Sequence, residues 1–383
     1  MGSNLNKLVE KYDTVQRGVG HSDGRVMFED YDRLPCYVFP VDYAFGGGIP
    51  FNIISQFYGP PTGGKSTLAI LFAKGLAHTC NSCLRPLSVC NCGEKKVLQT
   101  FWCSTEGKPD PYWFDLLGYD ADKHMYLGVP EYGEEACTQV ELAVRDPDCG
   151  LVVLDSLAGL VPKKELERSY LDLSVGEQAR LIARFVMRVR AILTKELRLG
   201  HRVSVLFLNQ VRTKIGGMSY GSNETTPGGF ASKHGYRLSA RINQLAADSD
   251  DVNKSENMKD ALRFSVSLLG QGAKQQLVIL SGKAEYKLAV RRTDAYVPGL
   301  PLDMKATIKY ARDLGLLKKQ SDGYHFNGAV FKTLASLHDF FVGDGFEQGL
   351  VLKWVVVQKA KRRFISTLED NSKVVKFKAG DAT

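Results

Sequence analysis

The sequence predicts an α/β fold, a mostly parallel, twisted sheet with helices on its faces. Three observations carry this expectation. A Gly/Pro-rich loop from Gly59 to Ser66 stands between an apolar run at 51–58 and a helical pattern. Further short apolar runs at 98–104, 151–155 and 203–208 each end in polar residues. Helical periodicity fills the stretches between them. In open sheets of this kind ligands sit beyond the carboxyl ends of the strands, so the polar residues that end each strand are the ones to examine for chemistry.

Residues 4–18 read as a short polar helix with Leu8, Val9 and Tyr12 on one side, followed by a Gly-containing link at 18–24. The segment is too small for its own core and is expected to dock on the main domain or on a neighbouring subunit. The clearest helix spans 177–197, where Leu181, Phe185 and Val189, with Ile182, Val186 and Leu193, recur at three and four residues. Residues 246–258 are polar and read as a surface loop. Strand patterns return at 261–268, 276–280 and 287–291. From Leu302 the pattern changes: Ile308, Ala311, Leu314 and Leu317 mark a helix, Tyr324 to Phe326 a hairpin strand, and 331–341 another helix. A boundary is expected near Pro298 to Pro301, and no internal repeat is visible.

At 383 residues with 44% hydrophobic and 24% charged side chains, the chain is neither disordered nor collagen-like. No apolar run approaches the length of a membrane span, and the start lacks the charged-then-apolar pattern of a secretory leader. The net charge of +8 is unevenly placed, because residues 351–383 hold eight Lys/Arg against three Asp/Glu. Two readings stand for that end: a grip on a polyanion through counterion release, or a solvated, partly disordered tail. Eight cysteines in a chain without a leader favour a reducing cytoplasm over a disulfide framework.

The loop Gly59, Pro60, Pro61, Thr62, Gly63, Gly64, Lys65, Ser66, Thr67 fits G-x-x-x-x-G-K-[S/T]. Its glycines let backbone N–H groups face a phosphate, with a helix N-terminus behind them. Lys65 supplies a charge to the β- and γ-phosphates, and Ser66 offers its hydroxyl to magnesium. A second magnesium-side oxygen is expected from an acid ending a buried strand, which Asp155 provides. Hydrolysis also needs a group to orient or deprotonate water, and Glu106 ends the intervening strand in the right layer to do so.

Four cysteines are bunched as Cys80-x2-Cys83-x6-Cys90-x-Cys92, which is metal-ligand spacing. A tetrahedral zinc site is the physical fit; reduced thiols or an iron–sulfur cluster are the alternatives, and His78 is an alternative ligand for one cysteine. The metal would staple an insertion of about 20 residues that has no core of its own. Cys36, Cys103, Cys137 and Cys149 are scattered and read as buried thiols.

Over roughly 34–345 the chain resembles the bacterial and phage RecA recombinases. The likeness rests on three stretches: the lead from Phe39 to Pro50 into the phosphate loop, the segment from Leu151 to Glu167, and the segment from Leu208 to Gly229 that opens with Asn209-Gln210-Val211-Arg212. The resemblance implies a RecA-like ATPase core that uses ATP and magnesium, forms a helical filament on single-stranded DNA, and exchanges strands with a homologous duplex. It implies that Glu106 activates water, that Gln210 senses the γ-phosphate, and that Asp110 and Trp113 pack the adenine, with Trp standing where the family usually shows Tyr. It also implies DNA loops at about 165–175 and 211–232, with Lys163, Lys164, Arg180, Arg212, Lys214, Gly228, Gly229 and Lys233 on the DNA path. Residue chemistry independently favours the second loop, which is rich in Gly, Ser and Thr and offers Met218 or Tyr220 as a base wedge. Arg291 and Arg292 are the candidates to complete a neighbour's ATP site, with Lys283 a weaker one.

The organisation expected is an arm at 1–33, a core at 34–300 with the cysteine insertion at about 78–96, a small domain at 301–345 and a basic extension at 346–383. The cysteine insertion and the basic end, the latter with Trp354 and Phe377 interleaved, depart from the bacterial pattern and lean toward a phage origin. A loading ATPase without strand exchange and a hexameric motor are the alternative readings of the same core; the long Gly-rich loop favours the recombinase. Single-strand-binding or mediator proteins are further expected partners.

Overall fold

The computed structural model describes residues 31–169, 176–213, 224–225, 235–246, 252–253, 258–268, 280–292, 298–326 and 329–379. Its centre is an eight-stranded sheet made of β1 (Ile54–Gly59), β2 (Gln99–Ser104), β3 (Met125–Gly128), β4 (Cys149–Asp155), β5 (Ser204–Gln210), β6 (Leu238–Leu245), β7 (Ala261–Leu268) and β8 (Lys283–Ala289). The strands lie in the order β8-β7-β6-β1-β5-β4-β2-β3. The pairs from β6 through to β3 are parallel, whereas β7 and β8 continue the sheet antiparallel. The sequence carries this division. β4 and β5 are nearly continuous apolar runs, as strands covered on both faces require. β6 and β7 instead alternate buried with half-buried residues, the pattern of a sheet with one face toward water.

The helices of the described residues include α1 (Phe39–Ala44), α2 (Lys65–Ala77), α3 (Pro111–Leu116), α4 (Gly133–Arg145), α5 (Glu177–Arg198), α6 (Met304–Asp313), α7 (Leu334–Val342) and α8 (Phe346–Ala379). On one face of the sheet α2 is apolar around most of its circumference, with Leu68 to Ala73 and Leu76 all buried between the strands and the segment before β1. Phe45, Phe57 and Phe72 cluster there at centroid distances of 5.8–6.3 Å, and burying each contributes about 1.5–3 kcal/mol. On the other face α5 buries Ile182, Phe185, Val186, Val189, Ile192 and Leu193, the stripe expected from its periodicity. A third cluster joins Phe39 of α1 to Met304, Ile308 and Ala311 of α6, Leu337 and Phe341 of α7, and Leu352, Val356 and Val357 of α8.

Several expectations shift. The strand anticipated at 287–291 is β8, which starts at Lys283 because Ala284, Tyr286 and Leu288 alternate inward opposite β7. The helix anticipated from Phe331 begins at Leu334: Phe331 pairs with Tyr324 in a three-stranded sheet, and Thr333 caps the helix in a capping box. Within the polar stretch 246–258, Val252–Asn253 and Met258–Lys259 pair as a short antiparallel ribbon. The arm helix at 4–18 and residues 276–279 of the other anticipated strand lie outside the described residues.

The largest difference is at the carboxyl end. Residues read as an extension from 346 form the helix α8, whose first half packs into the third cluster. Lys353 is buried and pairs with Asp303 at 2.7 Å, Lys361 is buried, and the exposed Lys359 donates 2.7 Å to Leu314 O at the end of α6. Lys353, Lys359 and Lys361 therefore belong to the packing of α8, while Arg362 and Arg363 face outward. Among the described residues no helix is long and apolar enough to cross a membrane.

Candidate functional site

The parallel strands place four loop ends side by side. Register pairs Gly59 at the tip of β1 with Gln210 at the tip of β5, and Ser104 at the tip of β2 with Asp155 at the tip of β4. The phosphate loop bridges β1 and α2. Gly64 sits at φ +93, and a Cβ there would run into the Phe264 ring; a Cβ at Gly59 would strike Ile242 O. Gly64 therefore demands glycine for both conformation and space, and Gly59 for space. Lys65 is buried and folds back over the loop, donating 2.7 Å to Pro60 O and 3.3 Å to Gly59 O. Burial lowers the pKa of its ammonium, while the charges of Asp155 and Glu106 raise it.

Ser66 Oγ donates 2.9 Å to Asp155 Oδ2. The Asp155 carboxyl is pushed from 3.8 up to about 6, chiefly by burial and further by Glu106, with the Ser66 hydrogen bond and Lys65 pulling the other way. A hydroxyl beside a buried, reluctant carboxylate suits a hard cation with oxygen ligands, so Ser66 and Asp155 fit magnesium. A testable consequence follows from the proton that competes for this carboxylate. Magnesium affinity of the nucleotide-free protein is expected to be level above about pH 6 and to fall roughly tenfold per unit below it. Calorimetric titration of Mg2+ across that range checks this; an affinity unchanged down to about pH 5 would remove Asp155 from the ion's shell. The folded form holds this proton more tightly than the unfolded chain, so the cation-free protein loses stability as pH rises from about 4 to about 6.

Glu106 is exposed at the end of β2. Its Oε1 accepts from Ser156 Oγ at 2.6 Å and from Gln210 Nε2 at 2.9 Å. Ser156 is held in turn by Thr105, whose Oγ1 accepts from Ser156 N at 2.9 Å and donates to Ser156 O at 2.8 Å. Three strand tips are thus cross-linked through one carboxylate. Sequence reasoning missed Ser156 and Thr105. Each directly adjoins a candidate acid, but nothing in their spacing says that they face one another.

Asp110 caps α3, accepting from Tyr112 N at 3.0 Å, and Trp113 Nε1 donates 3.0 Å to Thr67 Oγ1 in the first turn of α2. The indole is therefore fixed beside the phosphate loop. Lys163 lies over the Tyr132 ring at 5.2 Å and stands 3.9 Å from Glu167. Lys164 and Arg180 are exposed. Arg168 reaches Glu177 at 2.9 Å across the 170–175 segment, which lies outside the described residues. Arg212–Thr213 pairs antiparallel with Glu224–Thr225, a backbone ribbon immediately after Gln210. The Arg212 side chain and Lys214, Met218, Tyr220, Gly228, Gly229 and Lys233 lie outside the described residues.

Arg291 and Arg292 follow β8 at the antiparallel edge, where Arg291 Nη1 is 3.8 Å from Asp260. Lys283 begins β8, three strands from β1, a lateral offset of about 14 Å.

The four clustered cysteines converge, with all sulfurs within 4.8 Å of one another and Cys83 Sγ 3.6 Å from Cys90 Sγ. Sulfurs around a tetrahedral zinc at about 2.3 Å would stand about 3.8 Å apart, so the set fits that ion. For Cys80, burial raises the thiol pKa, but backbone N–H groups of Cys83 and Ser82 and the Cys90 thiol outweigh it and bring the value to about 6. Hydrogen bonding to Cys90 pushes Cys92 up to about 12. His78 is not part of the group; its Nδ1 lies 3.9 Å from Glu347 instead. The other four cysteines are buried free thiols, as expected.

A family model described as the RecA N-terminal domain matches residues 24–267. A "Protein RecA" of Oleidesulfovibrio alaskensis is 34% identical over 252 residues, 64% of this chain and 62% of that protein. A second "Protein RecA", of Thermus thermophilus, is 33% identical over 231 residues, 60% of each. The chain thus spans about three fifths of the length of these relatives. The solved "Crystal structure of the RadB recombinase" aligns with a TM-score of 0.44 at 16% identity, covering 67% of this chain and 96% of that one.

Proposed function

This chain belongs to the RecA family, and on that premise we propose that it is an ATP-driven recombinase that assembles on single-stranded DNA and exchanges strands with a homologous duplex. The observation that carries the reading is the 2.9 Å hydrogen bond from Gln210 to Glu106. It joins a candidate hydrolytic base to the residue that leads into the 211–232 segment, so the state of the γ-phosphate and the posture of that segment share one contact.

In the proposed reaction the phosphate-loop N–H groups and Lys65 bind the triphosphate. Trp113, braced by Thr67, forms a wall for the adenine, with Asp110 capping the helix that carries it. Ser66 and Asp155 would hold a magnesium ion, which would supply charge neutralisation for the phosphates. Among the described residues the hydrogen bonds to Glu106 come from Ser156 and Gln210 and fall on Oε1, and Oε2 takes a proton from water. That water attacks the γ-phosphorus in line, the bond to the β–γ bridging oxygen breaks, and ADP and phosphate result. Loss of the γ-phosphate frees Gln210, and the second DNA segment relaxes its hold. Lys163, Lys164, Arg180, Arg212, Lys214, Gly228, Gly229 and Lys233 contact the DNA, with Met218 or Tyr220 wedged between bases. Arg291 and Arg292 complete the site of the next protomer in the filament. Cys80, Cys83, Cys90 and Cys92 hold a structural zinc ion, and the free thiols suit a reducing cytoplasm.

Joint-molecule formation between single strands and a homologous duplex tests the whole. Wild type with ATP is expected to pair them, and Tyr220→Ala to pair them poorly while still hydrolysing ATP. ATP hydrolysis by wild type without any pairing defeats the proposal, as does single-strand affinity that is the same with ATP, with ADP and without nucleotide.

A further inference from the structure

We propose that the four-cysteine module is a metal-dependent latch that fastens helix α8 to the ATPase core. The inference rests on the zinc reading of the cluster and adds to it a mechanical consequence.

The module leaves the carboxyl end of α2 and re-enters the sheet at β2. Its backbone closes through Cys80 N to Arg85 O at 2.9 Å, Leu84 N to Cys80 O at 2.7 Å, Asn81 N to Lys96 O at 2.8 Å and Leu87 N to His78 O at 2.9 Å, with turn bonds from Val89 N to Pro86 O and from Cys90 N to Leu87 O. Its apolar side chains are sparse, and Val89 is exposed, so a bound ion is what would give it a fixed shape.

Directly beside Cys80, Thr79 is buried and its hydroxyl donates 2.7 Å to Gly75 O. That proton is therefore used, and the 2.9 Å contact between the Thr79 and Tyr37 hydroxyls has Tyr37 as donor. Tyr37 sits at φ +56, a left-handed conformation held by Asp42, which accepts from Tyr37 N at 2.8 Å and from Cys36 N at 2.9 Å. The carbonyl of the same Tyr37 accepts from Lys353 Nζ at 3.0 Å, and Lys353 pairs with Asp303 at 2.7 Å. Asp303 Oδ2 in turn accepts from Phe39 N at 2.5 Å.

A continuous buried path thus runs from the residue next to the first cysteine to the charged anchor that seats α8, with Lys353 and Asp303 almost wholly enclosed. A second point of contact is parallel to it: the Leu87–Val89 turn packs against α8, and His78 stands by Glu347 in the first turn of that helix. A buried ammonium tolerates little misplacement of its partners, because unpaired charge in an enclosed site is strongly disfavoured. Slackening the module displaces Thr79, releases Tyr37 and loosens the seat of Lys353. Metal occupancy then governs whether α8, with the exposed Arg362 and Arg363, is held in place.

Hydrogen exchange of the full-length protein, followed by mass spectrometry alongside zinc analysis, tests this. Zinc removal by a chelator is expected to speed exchange across 346–363 on the order of tenfold, reversibly on adding zinc back, while β4 and β5 stay protected. Tyr37→Phe is expected to retain stoichiometric zinc and still speed exchange in the same helix. A cluster that holds no stoichiometric metal refutes the zinc reading itself. Metal that is bound and stripped with no change at 346–363 refutes the latch alone. So does acceleration spread equally over β4 and β5, which would make metal loss a global unfolding, or a Tyr37→Phe protein as protected as wild type.

Discussion

Lys65→Ala is expected to bind ATP at least about a hundredfold more weakly than wild type. Lys65 Nζ is enclosed and already turned toward the phosphate loop, and its hydrogen-bond partners among the described residues are Pro60 O and Gly59 O. A triphosphate offers it charged acceptors in place of those carbonyls, and charge-assisted hydrogen bonds contribute about 1.5–3 kcal/mol each. Two such bonds amount to roughly two to four orders of magnitude in affinity. Titration with a fluorescent ATP analogue, with circular dichroism to verify the fold, measures the loss. Affinity within a few-fold of wild type in a folded Lys65→Ala protein would mean that this loop does not hold the phosphates.

The second large effect falls on turnover and leaves binding alone. Glu106→Gln is expected to keep ATP affinity and to lower the rate of hydrolysis by about 10²–10⁴, the usual contribution of a positioned base. The substitution isolates basicity from geometry. An amide oxygen accepts the bonds from Ser156 Oγ and Gln210 Nε2 as the carboxylate oxygen does, so the three strand tips stay cross-linked. What vanishes is the ability to take a proton from water. Phosphate release under saturating ATP and single-stranded DNA measures it. A rate within about twofold of wild type assigns the proton to another group and reduces Glu106 to a cross-link.

The two experiments probe parts of the site that were unequally visible in the chain. Lys65 and Ser66 were legible because a phosphate loop is a contiguous device whose residue types and spacing carry its chemistry. Asp155 and Glu106 were legible one step less directly, since each ends an apolar run and strand ends collect ligands in open sheets. The hydrogen bonds through Glu106 were not. They exist because β5, β4 and β2 are consecutive in the sheet while β1 and β2, next to each other in the chain, are separated by β5 and β4.

The carboxyl end departs from what its composition suggests for a related reason. Lys353, Lys359 and Lys361 have the composition of a solvated basic tail, yet Lys353 answers to an aspartate 50 residues earlier and Lys359 to the end of α6. Charge is a property of the residue, whereas exposure belongs to the packing around it. The small-domain helices α6 and α7 and the helix α8 share one apolar cluster with Phe39 of α1, a partner more than 260 residues upstream of α6.

By itself, then, the amino-acid order determined the phosphate loop, the four-thiol set, the apolar stripe of α5 and the family to which the chain belongs. Each depends on residues close together in the chain, where spacing alone dictates what they can do. Only the tertiary structure decided that Gln210 meets Glu106, that Trp113 is braced by Thr67, and that Lys353 is an anchor and not a free cation. Those contacts are short-range in space and long-range in sequence, so they come into being only when strand order and helix packing bring the partners within hydrogen-bonding distance.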